Sequence, residues 1–203
     1  MKLLLRTDGN LKIGNGHVVR VLALANKLKE QNINYLLAIK SDDFWFKKIS
    51  KNHNVKKISN NFKDILDLID NESITHFIYD TRNDLIQKDF EIIKEKYPGL
   101  KLIVIDNPEE IRNSADLYLS PPIPQINLWR WTDFKGIIKS DWEYVLLRSD
   151  FKKHKKNKDS KFITLSFGST DPFYLTEKVI RQISINKDIF SDYKFRLVVG
   201  PQF

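Results

Sequence analysis

Short apolar runs alternate with stretches of helical periodicity along most of this chain, and that alternation narrows the folds open to it more than any other feature. Residues 3–6 read as a strand. Residues 17–31 read as a helix with Val18, Val21, Leu22, Ala25 and Leu28 on one face at the 3.6-residue period. Further strands are expected at 34–39, 55–58, 76–79, 101–105 and 117–119, with helices at 44–49, 64–69 and 87–96 between them. Pro98-Gly99 stops the last helix. Strands separated by helices pair in parallel, because a hairpin turn cannot return the chain to the same direction. The pattern predicts an α/β fold, a doubly wound parallel sheet with helices on both faces and right-handed crossovers. Functional loops are then expected outside the carboxyl ends of the strands.

Pro121-Pro122-Ile123-Pro124 ends the repeat. An irregular stretch carrying Trp129, Trp131 and Trp142 follows, and these indoles read as a cap that packs over the domain. The run Lys152-Lys153-His154-Lys155-Lys156-Asn157-Lys158 reads as a solvated basic linker. A second α/β pattern follows, with strand 162–166, helix 174–183 and strand 195–199. The expected organisation is a complete α/β domain over 1–150, a linker over 151–160, and the beginning of a second domain over 161–203. A β-α-β unit of that length cannot bury both faces of its own sheet. Its open edge predicts a homo-oligomer that covers it.

The chain has 203 residues, 41% of them hydrophobic, enough for a sizeable core. Without cysteine, disulfides and thiolate metal sites are excluded. No apolar run approaches the ~20 residues of a membrane span, and the polar residues after Leu5 end the first run too early for a signal peptide. A cytoplasmic protein is expected. The formal net charge of +8 comes from lysines spread along helices and from the basic run. That distribution does not call for a nucleic-acid partner, but a modest positive field favours an anionic small substrate such as a nucleotide diphosphate.

The loop after the first strand carries Asp8-Gly9, then Gly14-Asn15-Gly16-His17, with Arg20 one turn into the helix. Glycines at 14 and 16 allow positive φ or a close approach by a ligand. The helix that follows offers unpaired amides to an anion. Its dipole disfavours an imidazolium at its start, so His17 is expected to be neutral near pH 7 and able to act as a general base. Arg20, on the same side, can pair with a carboxylate or phosphate. On spacing alone, a glycine-rich turn with a capping histidine and a surface arginine is an equal alternative. Val19 and Ile39-Lys40 argue against a dinucleotide fingerprint, and no Gly-Lys-Ser/Thr forms a P-loop.

Other strand ends add polar groups. Asp80 ends the fourth strand, and Asp106-Asn107 follows the fifth. In a doubly wound sheet these converge with the first loop and line a pocket. Gly168-Ser169-Thr170 is a second small-residue turn between strand and helix, a candidate phosphate cradle. His53, His76 and His154 lack ligand spacing with carboxylates, so neither a metal site nor a cofactor is expected.

The Asp8-Gly9, Gly14-Asn15-Gly16-His17 and Arg20 pattern resembles the UDP-sugar hydrolase family of pseudaminic acid biosynthesis (UDP-2,4-diacetamido-2,4,6-trideoxy-β-L-altropyranose hydrolases) and related spore-coat polysaccharide proteins. The resemblance continues at residues 102–106, at Tyr144-Val145-Leu146-Leu147-Arg148 and at Phe167-Gly168-Ser169-Thr170-Asp171-Pro172. It implies a glycosyltransferase-B-like fold and metal-independent, inverting cleavage of the anomeric C–O bond of a UDP-sugar by water. It implies a general base at His17, a loop around the sugar and diphosphate at Asp8, Gly14 and Gly16, and a substrate contact at Arg148; Asn15, Arg20, Asp80, Asp106 and Asn107 are expected to bind substrate with them. Gly168, Ser169 and Thr170 would face the nucleotide. The chain departs from the family at Arg82, where an aromatic residue is frequent, and at Asn107, where a second Asp is frequent. The family's later glycine/serine-rich loop has no counterpart before Phe203. Two other functions fit the same residues: a sugar-nucleotide-dependent glycosyltransferase, and a non-catalytic remnant or binding module.

Overall fold

The computed structural model describes residues 1–9, 14–59, 62–82, 84–151, 162–168 and 171–200. The chain divides into two compact units. One comprises Met1–Gly9 and His17–Ser149; the other takes in the described residues from Asp150 onward together with Gly14–Gly16.

The first unit is built on β1 (Lys2–Gly9), whose residues from Leu3 on are all buried. Flanking strands are β2 (Asn34–Ser41), β3 (Val55–Lys57), β4 (His76–Asp80), β5 (Lys101–Ile105), β6 (Leu117–Ser120) and β7 (Ile137–Ser140). They form one seven-stranded sheet in the order β3-β2-β1-β4-β5-β6-β7, parallel throughout. The helices are α1 (Gly16–Glu30), α2 (Asp43–Ser50), α3 (Phe62–Asn71) and α4 (Gln87–Lys96).

Strand alternation sends successive side chains to opposite faces, and each face has its own core. Leu4, Leu36, Phe77, Tyr79, Leu102 and Val104 meet Ile65 and Ile69 of α3 and Phe90 and Ile93 of α4. Leu3, Leu5, Leu37, Ile39, Ile78 and Ile103 meet Val18, Val21, Ala25 and Leu28 of α1 and Ile49 of α2 on the other side. The spacing of the buried α1 residues is the helical period read from the sequence. Lys27 and Lys29 in the last turn of α1 suit the negative end of its dipole. The doubly wound parallel α/β sheet expected from the sequence is thus observed. Its strand order reverses between β1 and β4, the position where such sheets open a crevice.

The structure corrects two expectations. The repeat does not stop at β6, because Ile137–Ser140 adds β7 in parallel register. Its crossover is a loop with a single 3₁₀ turn at Pro124–Leu128 instead of an α-helix, and an edge strand exposed at Ile137 and Ile138 shows no clean alternation. Gly136 is what admits it, since a Cβ there would lie 2.3 Å from the Ala115 carbonyl oxygen. The Trp cap also divides. Trp129 and Trp131 pack on the α3/α4-side core beside Tyr118, with the Arg112 guanidinium over both indoles. Trp142, in contrast, is 75% exposed. It starts a single 3₁₀ turn capped by Asp141, too short to carry a buried face.

In the second unit β8 (Phe162–Ser166) and β9 (Lys194–Val198) pair in parallel around α5 (Leu175–Ile185). Asp171 accepts from the backbone amides of Leu175 and Thr176 at the helix start. Phe162, Leu197 and Val198 stay exposed, as a two-stranded sheet with one helix requires. The basic run 152–158 lies outside the described residues.

Candidate functional site

The carboxyl ends of β1, β4 and β5 stand side by side at the strand-order reversal, and α1 starts above them. α1 faces the sheet with Val18 and Val21. Its first turns therefore deliver His17 and Arg20 to the end of the sheet, on the flank where Asp80 projects from β4 beside Ile78. Asp80 is fully buried. Its Oδ1 lies 2.6 Å from His17 Nδ1 and accepts from Arg20 Nη2 at 2.6 Å. Its Oδ2 accepts from Arg20 Nε at 2.7 Å. The remaining guanidinium nitrogen, Nη1, donates to Asp106 Oδ2 at 2.6 Å.

An ionised carboxylate only accepts, so the short contact to Asp80 places a proton on His17 Nδ1. In that tautomer the lone pair is on Nε2. Arg20 Nη2, 3.3 Å from Nδ1, is a neighbour of the ring and bonds Asp80. Burial works against the Arg20 charge, but hydrogen bonds and charge from Asp80, then from Asp106, outweigh it and raise the guanidinium pKa. His17, Arg20 and Asp106 side chains keep 20–23% of their surface, so the cluster is sealed below and open above.

Asp106 is held in the left-handed region at φ 45°, a conformation that Asp tolerates better than most residues. Its amide donates to the Leu119 carbonyl of β6 at 2.8 Å. Arg82 Nη2 approaches the Asp106 carbonyl at 3.4 Å.

A second polar cluster lies on the opposite face. Arg6 follows Leu4 on the α3/α4 side and is fully buried. It binds Asp8 through Nη1, donates from Nε to Asp84 Oδ2 at 3.1 Å, and donates to the Thr7 carbonyl at 2.5 Å. Its Nη2 is at ion-pair distance from Asp84, 2.8 Å, but too poorly aligned for a hydrogen bond. Thr81 Oγ1 donates to the other Asp8 oxygen at 2.7 Å, and Asn107 Nδ2 donates to the Thr81 carbonyl at 2.7 Å. Burial pushes the Asp84 carboxyl up, with the Arg6 charge opposing. Thr81 was read from the sequence only as part of the polar Tyr79-Asp80-Thr81-Arg82 strand end, Arg6 only as the start of the first loop, and Asp84 was not among the sequence candidates. The available signal was a charge inside the apolar run Leu3-Leu4-Leu5-Arg6.

The expected site residues therefore separate. His17, Arg20, Asp80 and Asp106 come together. Asp8 and Asn107 belong to the buried Arg6 cluster, both at 6% exposure or less. Gly14 has φ 79°, which a side chain would strain. A Cβ at Gly16 would meet open space, so that glycine leaves the start of α1 uncovered. Asn15 Oδ1 and Thr7 Oγ1 are buried without a hydrogen-bond partner among the described residues. Arg148 is exposed, on a segment that packs along Ala23–Glu30, the end of α1 away from His17. Gly168 has φ 86°, and Ser169 and Thr170 lie outside the described residues. His53 bonds Tyr35 at 2.7 Å and His76 bonds Thr75 at 2.9 Å, structural contacts both. No group of three or more His, Asp or Glu among the described residues is arranged to hold a metal ion. No helix among them is long and apolar enough to cross a membrane.

No protein-family model matches the chain. An uncharacterized protein of Methanocaldococcus jannaschii is 36% identical over 217 aligned positions, which take in all of this chain and 43% of that protein. The chain thus spans less than half the length of this curated relative. Among solved structures, Acinetobacter baumannii MurG is similar with a TM-score of 0.52 and 11% identity, over 99% of this chain and 66% of that one. The fold is the glycosyltransferase-B-like α/β fold that the residue pattern implied.

Proposed function

We propose that the chain carries the base-bearing half of a hydrolase that cleaves a UDP-activated amino sugar with water, in surface or flagellar glycan biosynthesis, as the residue pattern's resemblance implies. The observation that carries this is the His17–Asp80 pair at the strand-order reversal. Nε2 of His17 takes a proton from water. The water oxygen forms a bond to the anomeric carbon, and the bond from that carbon to the diphosphate oxygen breaks with inversion, releasing UDP. The Thr7 hydroxyl, without a hydrogen-bond partner among the described residues, is a polar group available to an anionic sugar nucleotide. In the same reading Gly14 and Gly16 line the sugar and diphosphate, Arg148 binds substrate, and Gly168, Ser169 and Thr170 serve the nucleotide.

The test is UDP release from UDP-linked acetamido sugars, followed with wild type and with His17→Ala. Release that disappears in the variant supports the reading, whereas undiminished turnover in His17→Ala removes the base.

A second reading, a glycosyltransferase, is favoured by one observation. A cavity of about 810 Å³ at the ends of β6 and β7 is lined by Pro122, Ile123, Ile126, Trp131 and Ile138, room for an acceptor beside the cluster's sheet edge. Product analysis with and without glycan acceptors separates water from acceptor transfer. We also propose that the exposed β8–β9 pair is covered in a homo-oligomer; a monomeric mass by light scattering at micromolar concentration would count against that.

A further inference from the structure

We propose that Asp80 is a positioning residue for His17 instead of a substrate ligand, and that Arg20, tied to Asp106, is the clamp that holds Asp80 in place. The proposal rests on the reading of His17 as the base. Asp80 is fully buried, and its two oxygens receive three short bonds: one from the imidazole and two from the guanidinium fork. No face of this carboxylate is left for a ligand.

Arg20 is committed in the same way. Nε and Nη2 serve Asp80, and Nη1 serves Asp106. Three of its five N–H groups are thereby spent on carboxylates.

The clamp is rigid because its anchors are on three different elements. Arg20 stands on α1, Asp80 ends β4, and Asp106 follows β5 with its backbone bonded to β6. A bidentate arginine fixes the plane of a carboxylate as well as its place. The plane of Asp80 in turn selects which imidazole nitrogen carries the proton. A carboxylate that orients a histidine base acts in this way in the Ser-His-Asp triad, where replacing it by the amide leaves the wrong tautomer.

Long-range ¹H–¹⁵N NMR on the ¹⁵N-histidine-labelled chain reads the tautomer directly, at a pH where the ring is neutral. The chain has 4 histidines, and His17→Ala assigns the signal. In wild type the His17 ring is expected in the Nδ1–H form. In Asp80→Asn that form gives way to Nε2–H, and Asp80→Glu restores part of it. With a turned-over sugar nucleotide, Asp80→Asn lowers kcat about 10²-fold and leaves KM within about threefold. Asp106→Asn, which touches only the clamp, gives a smaller loss in the same direction and carries the test if Asp80→Asn does not fold.

An unchanged tautomer in Asp80→Asn and Asp106→Asn would overturn the proposal. So would a KM that rises while kcat holds, the mark of a substrate ligand. The tautomer is read without substrate. A chain with no UDP release but with the tautomer switch overturns the hydrolase reading and retains the positioning role.

Discussion

Two charged clusters stand at the carboxyl edge of one sheet, on opposite faces, and they differ in what the protein does with the charge. The Arg6 cluster is closed: arginine, two carboxylates, a threonine and an asparagine touch one another with almost no solvent contact, leaving only Nη2 of the arginine at ion-pair distance without a hydrogen bond. The His17 cluster is the same kind of assembly left open on one side, with an imidazole at the opening. Closure makes the first a structural joint between β1, β4 and the loop after β4. Its cost is the desolvation of a guanidinium, recovered only while every partner is present. Under the proposed hydrolase reading, the opening suits the second to catalysis, since a base needs one lone pair that the fold does not use.

Substitutions on the two sides should therefore fail differently. His17→Ala is expected to lower UDP release by on the order of 10²–10⁴-fold while shifting the urea midpoint much less than Arg6→Ala does; equal shifts of the midpoint would erase the contrast. Arg6→Ala is expected to do the reverse. It leaves two buried carboxylates unpaired and costs about 3–5 kcal/mol of stability in urea unfolding. Loss of activity without loss of stability would place Arg6 in the site. Thr81→Val removes a donor to the buried Asp8 carboxylate and should cost roughly 1.5–3 kcal/mol, so a neutral result would mean that Asp8 finds another donor. At the small end, Trp142→Ser should change stability by no more than about 0.5 kcal/mol, as an exposed position does. Trp131→Ala, under the Arg112 guanidinium, should cost severalfold more by the same measurement.

The same contrast shows how far the residues can be read before the fold is known. That Asp80 and Asp106 meet the first loop was legible because β-α alternation places every strand's carboxyl end on one edge. Their roles were not legible. Asp80 and Asp8 look alike in the sequence, each an acid closing an apolar strand. One step of strand parity sends Asp8 to the Arg6 face and the register of β1 against β4 brings Asp80 under α1. β7 escaped because an exposed edge strand needs no apolar alternation, and only the close approach at Gly136 marks it.

What the sequence determined by itself is the layered architecture and the loop that bears the imidazole, because periodicity and glycine placement act over a few neighbouring residues. Which carboxylate contacts His17, which ones surround Arg6, and which of Trp129, Trp131 and Trp142 pack against a core were decided by tertiary structure. Those outcomes depend on strand order, register and face, set by contacts between residues 60 to 86 positions apart, as in the bonds from Arg20 to Asp80 and Asp106.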